Sequence, residues 1–107
     1  MNAYELGEIT RQQAESGEAY RQFINEGSMS LGLFVLAAGA TDTQSPHAED
    51  EIYYVVSGRG TVVVAGERRP VGPRSIVFVA KQVDHRFVDI EEDLSLLVFF
   101  APEHRPA

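Results

Sequence analysis

Cysteine and tryptophan are absent from the 107 residues, bases are scarce at 9 Lys and Arg against 16 Asp and Glu, and no long apolar run occurs. Without cysteine there is no disulfide framework and no thiolate chemistry, so any bound metal must be held by nitrogen and oxygen donors. The formal charge of -7 argues against nucleic acid as a partner, because phosphate-backbone binding depends on clustered Lys and Arg. No stretch approaches the ~18 apolar residues of a membrane-spanning helix, so membrane insertion is not expected. Met1 to Glu8 carry two acids and no base, unlike the basic start of a secretory signal, and a cytoplasmic location is the expectation.

What is present is ordinary for one folded domain spanning 1–107: 44% hydrophobic and 23% charged residues. Up to Gly27 the chain is polar, with a helical turn expected near Thr10 to Glu15 and a short strand around Tyr20, Phe23 and Ile24. Beyond Gly27, Met29, Leu31, Leu33 and Val35 alternate with Ser28, Ser30, Gly32 and Phe34, the period-2 signature of a strand. Short β-rich runs follow at Ile52 to Val56, Thr61 to Ala65, Ser75 to Ala80, His85 to Ile90 and Leu94 to Ala101. Ser57 to Gly60 and Ala65 to Glu67 supply glycines for tight reversals, and Glu91 to Asp93 reads as a turn. Seven or eight short antiparallel strands with such connections predict an all-β sandwich or barrel. Arg68 and Arg69 suit an exposed edge strand, Phe78, Phe99 and Phe100 suit the core, and Pro102 to Ala107 suits an exposed end.

Gly39 begins a pattern of chemical interest. Five residues separate it from Ser45; Pro46 and His47 follow, then three residues to Glu51 and six more to Gly58. This stretch, 39–58, resembles the first motif of the cupin superfamily, with Ser45 where the family's first histidine stands. A weaker match to the second motif lies around 74–89. There His85 fits the histidine, while Arg74, Ala80, Gln82 and Asp89 replace the usual Gly, Pro, Gly and Asn. The resemblance implies a small antiparallel, jelly-roll-like β-barrel (a double-stranded β-helix), often a homodimer, with a metal inside.

The residues themselves agree with that implication. His and Glu suit one divalent transition metal, with Fe, Mn, Zn, Ni and Co not distinguished, and side chains from several strands of a barrel can converge on one point. His47 and Glu51 are four apart and share a face if extended; His85 must arrive from another strand. Gln44 is the first choice for a further ligand in place of the missing histidine, as an amide oxygen; Ser45, Glu49 or water are the alternatives. Strand parity places Tyr53 and Val55 with Glu51, and Phe87 and Asp89 with His85. His104 is assigned to the polar tail, so no second His and acid cluster is expected. Three protein ligands leave open positions, consistent with dioxygenase or isomerase chemistry on a small organic molecule. The alternative is a non-catalytic module that recognises a small-molecule ligand, and Tyr53 is the one non-ligand ionisable group that parity brings near.

Overall fold

The computed structural model describes Met1 to Arg105. One helix, α1 (Leu6–Ser16), precedes six strands: β1 (Tyr20–Asn25), β2 (Ser30–Leu36), β3 (Asp50–Val64), β4 (Glu67–Val71), β5 (Ile76–Val79) and β6 (His85–Ala101). The helix is longer than the turn expected near Thr10, ends at Gly17 in the left-handed conformation, and buries Ile9. All strand pairs are antiparallel, in the order β1-β2-β6-β3-β4, with β5 pairing the first half of β3 along the same edge that β4 pairs further on.

Three expectations are corrected. The pairing does not return from β4 to β1, so the sheet curls without closing into a hydrogen-bonded barrel. Second, the runs expected as separate strands on either side of Ser57 to Gly60 are one strand, β3, and those flanking Glu91 to Asp93 are one strand, β6. Register shifts between Val55 and Thr61 absorb the bend instead of a reversal. Third, Phe78 is 61% exposed while Phe100 is buried. The hairpin at Ala65-Gly66 forms as expected, with both residues at positive φ, and Arg68 and Arg69 lie on β4, an edge of the sheet.

Bending explains how the core is made. Glu51 is paired with Phe100 and Val79, whereas His85 is paired with Val64 at the far end of the β3–β6 ladder. Yet His85 and Glu51 touch, because the curled sheet brings the start of β6 over the start of β3. Between the two halves lie Tyr53, Val55, Phe87, Leu94, Leu96 and Val98, all but fully buried. Each such side chain contributes roughly 1.5–3 kcal/mol relative to exposure. Parity holds for Tyr53, Val55 and Phe87 but fails at Asp89, which is exposed beside Arg68. Its φ of 49° breaks the alternation, so Ile90 turns inward instead.

Gly58 sits among the register shifts of β3, at φ +93, and an added Cβ would collide with the Asp93 carbonyl oxygen. The conformation alone costs a non-glycine residue about 1–3 kcal/mol, and the backbone collision adds to it. Gly58→Ala is therefore expected to lower the thermal midpoint by more than about 8 °C. A shift within 2–3 °C in a calorimetric scan, on the order of half a kcal/mol, would show that the bend does not need glycine.

Candidate metal centre

The loop between β2 and β3 carries Asp42, Gln44, His47 and Glu49, and it is pinned at several points. Asp42, itself buried, accepts hydrogen bonds from the backbone N–H of Phe87 at 2.9 Å and of Gln44 at 3.2 Å. The second of these is an Asx turn. Asp42 also accepts the Gln44 side-chain Nε2–H at 2.7 Å, which turns the Gln44 Oε1 towards the interior. There it accepts the Tyr53 hydroxyl at 2.9 Å and lies 3.3 Å from His47 Nε2. The His47 carbonyl accepts Gln82 N–H at 2.7 Å, tying this loop to the one before β6.

The structure brings His47, Glu51 and His85 together, with one ligand atom of each within 4.8 Å of the others. Glu51 and His85 side chains are each 1% exposed, and Glu51 Oε1 lies 2.7 Å from His85 Nε2. The pair departs from ideal hydrogen-bond geometry, so among the described residues Glu51 has close contacts but no well-aligned hydrogen-bond partner. His85 Nδ1 donates to the Val83 carbonyl at 2.9 Å, and its Nε2 lies 2.7 Å from the Glu51 carboxylate and 3.1 Å from the Tyr53 hydroxyl. A buried carboxylate against an imidazole at this distance calls for a compensating cation, either a proton on His85 or a metal ion held by both groups. The donor set of two imidazoles and one carboxylate can hold a divalent transition metal.

Titration behaviour reflects this crowding. Burial opposes protonation of His85, but its close contact with Glu51, the Val83 carbonyl and the charges of Glu51 and Asp42 outweigh that and raise its pKa. At His47 burial wins over the attraction of Glu51 and lowers the pKa, keeping this imidazole neutral and available. Tyr53, whose hydroxyl is 3.1 Å from His85 Nε2, is pushed upward by burial and then by the charge of Glu51, so it stays a neutral phenol.

Other sequence-derived candidates fall differently. Ser45 is exposed. Glu49 is buried and engages His104, the residue assigned to the tail, with His104 Nδ1 at 2.6 Å from Glu49 Oε1. His104 also stacks on Phe100 at 4.4 Å between ring centroids and stands edge-on to His47 at 5.0 Å. The expectation of a single His and acid cluster is thus corrected: His47, Glu49 and His104 form a second. A cavity of about 180 Å³ opens beside these rings, lined by Tyr20, Phe34, Gln44, His47, Phe100 and His104, with Val98 at its floor. Asp42 and His104 were invisible to sequence reasoning; only the Asp42-x-Gln44 spacing, typical of an Asx turn, hinted at the former.

The chain is 47% identical over 102 residues to an uncharacterized protein of Streptomyces coelicolor, an alignment covering 95% of this chain and 97% of that one. Among solved structures it resembles KdgF from Halomonas sp. at 25% identity and TM-score 0.71, covering 78% of this chain and 76% of the other. It also resembles ectoine synthase from P. lautus at 21% identity and TM-score 0.77, covering 96% and 79%, a likeness of fold alone. The family model described as Cupin domain matches residues 32–100, which include every member of the His47, Glu51 and His85 cluster. The protein therefore belongs to the cupin family.

Proposed function

We propose that the protein is a metal-dependent cupin acting on a small organic molecule, with His47, Glu51 and His85 holding one divalent ion and Gln44 Oε1 as a further ligand. The observation that carries this reading is the buried Glu51 carboxylate, which has no well-aligned hydrogen-bond partner among the described residues and on which the two imidazoles of His85 and His47 converge. An uncompensated buried carboxylate costs on the order of several kcal/mol, so a cation accounts for the arrangement better than a core packing role does. When bound, a metal with open positions supplies Lewis-acid activation or, as iron, dioxygen chemistry, which are the routes of isomerases and dioxygenases. The chain's own residues shape the rest: Phe34, Val98 and Phe100 give the cavity apolar walls, and His47 and Gln44 give it a polar edge. Tyr53, hydrogen-bonded to Gln44, orients that amide and holds a proton beside the cluster. The same wall composition would serve a recognition module, but a buried acid with two imidazoles converging on it favours a reactive centre.

Protein purified without chelators is expected to contain one metal per chain by elemental analysis, and His85→Ala to lose affinity by about 10-fold or more. Content near one in that variant after extensive dialysis would remove His85 from the ligand set. Because His85 is raised and His47 lowered, binding near neutral pH should displace one proton, from the His85 position. Affinity should then weaken on acidification, approaching about tenfold per pH unit where His85 is protonated and steepening once His47 protonates as well. A dissociation constant that does not weaken between about pH 6.5 and 5, at and below the ordinary imidazole value, would contradict the assignment.

The homodimer is proposed on the outer face of β3 and β5. There Ile76 is 70% exposed, and Met29, Ile52, Phe78 and Phe99 line one apolar groove. A second copy would cover this patch. Light scattering should give twice the 11.8 kDa chain mass, and Phe78→Asp should return it to one. A wild-type monomer at micromolar concentration would refute the dimer.

A further inference from the structure

We propose that His47, Glu49 and His104 form an outer position for the divalent ion, through which it is loaded into the inner cluster. This rests on the metal reading of His47, Glu51 and His85, and it adds a second site that shares His47 with the first.

The two clusters repeat one arrangement. In the inner one an imidazole nitrogen of His85 faces a Glu51 oxygen at 2.7 Å; in the outer one an imidazole nitrogen of His104 faces a Glu49 oxygen at 2.6 Å. In each, His47 supplies the third donor, within 4.8 Å of both others. The difference is access. The Glu51 and His85 side chains are 1% exposed, whereas His104 is 16% and Glu49 6% exposed. The cavity that opens beside the site is lined by His47 and His104 but by neither Glu51 nor His85. An ion arriving through it meets the outer donors first.

His104 is held ready for this role rather than left free. Its backbone N–H donates to Ser30 Oγ at 2.9 Å and its ring stacks on Phe100. Its place beside His47 is thus fixed by two anchors that do not involve Glu49. Charge argues the same way: a carboxylate and two imidazoles attract a divalent ion and, like the inner set, contain no thiolate. A neutral imidazole offers one lone pair, so His47 serves one ion at a time. The outer and inner positions are therefore occupied alternately, and the stoichiometry stays at one. The ion is handed inward because the Glu51 carboxylate is the more deeply buried of the two and has more to gain from a compensating cation.

The test uses Co(II) on the full chain, followed by visible absorption. His85→Ala, which disables the inner position, is expected to bind one equivalent at least about 10-fold more weakly than wild type. Adding Glu49→Gln or His104→Phe should then weaken it about 10-fold again. Phenylalanine retains the ring on Phe100 and removes only the nitrogens. In the otherwise wild-type chain, His104→Phe should leave one equivalent bound but slow Co(II) association several-fold in stopped flow. That measurement does not depend on the folding of the His85 variant. Unchanged association kinetics, or residual binding in His85→Ala indifferent to both outer substitutions, would overturn the loading site and leave a structural ion pair. Two equivalents in the wild type would overturn the alternation. No Co(II) binding by the wild type would remove the metal reading itself and this inference with it.

Discussion

Everything at the centre of this molecule is arranged around one costly group, the Glu51 carboxylate. It is sealed among Tyr53, His85 and the apolar interior, 2% exposed, with His85 Nε2 2.7 Å from one of its oxygens. A buried anion is tolerated only when a cation or donors compensate it. The neighbours behave accordingly. The Val83 carbonyl fixes the His85 tautomer so that Nε2 faces the acid, burial keeps His47 neutral, and Asp42 rotates Gln44 so that its oxygen, not its nitrogen, points inward.

The fold exists in a form that can hold such a group because two long strands bend. β3 and β6 run alongside each other from Asp50–Ala101 to Val64–His85, and the residues at opposite ends of that ladder meet across the interior. A flat pair of strands would leave Glu51 and His85 far apart, at the roughly 3.3 Å per residue of extended chain. Gly58 allows the bend by taking a backbone conformation closed to other residues, close against the Asp93 carbonyl. Hydrogen bonds from the β2–β3 loop to the Phe87 and Gln82 backbones then close one end of the curl where no strand pairing does.

Much of this was legible in the sequence. The absence of cysteine limited any metal to nitrogen and oxygen ligands, and the period-2 runs marked a mostly β chain, though not the helix α1. The Gly39 to Gly58 spacing pointed to the family and to His47 and Glu51, and the weaker match around 74–89 added His85. These depend on composition and local periodicity, which a sequence displays directly. What tertiary structure decided concerns distance and alternation. A glycine at Ser57–Gly60 serves a hairpin or a bend equally well in sequence, and only the register with β6 shows that it bends. Alternation predicted Asp89 inside, but one positive φ reversed it. Phe78 reads as core because it is large and apolar, and is exposed because β5 pairs with β3 alone, on the sheet's uncovered side. His104 lies in a polar tail by sequence, 53 residues after Glu51, and its packing on Phe100 beside His47 comes from where the chain returns after β6, which no local pattern encodes.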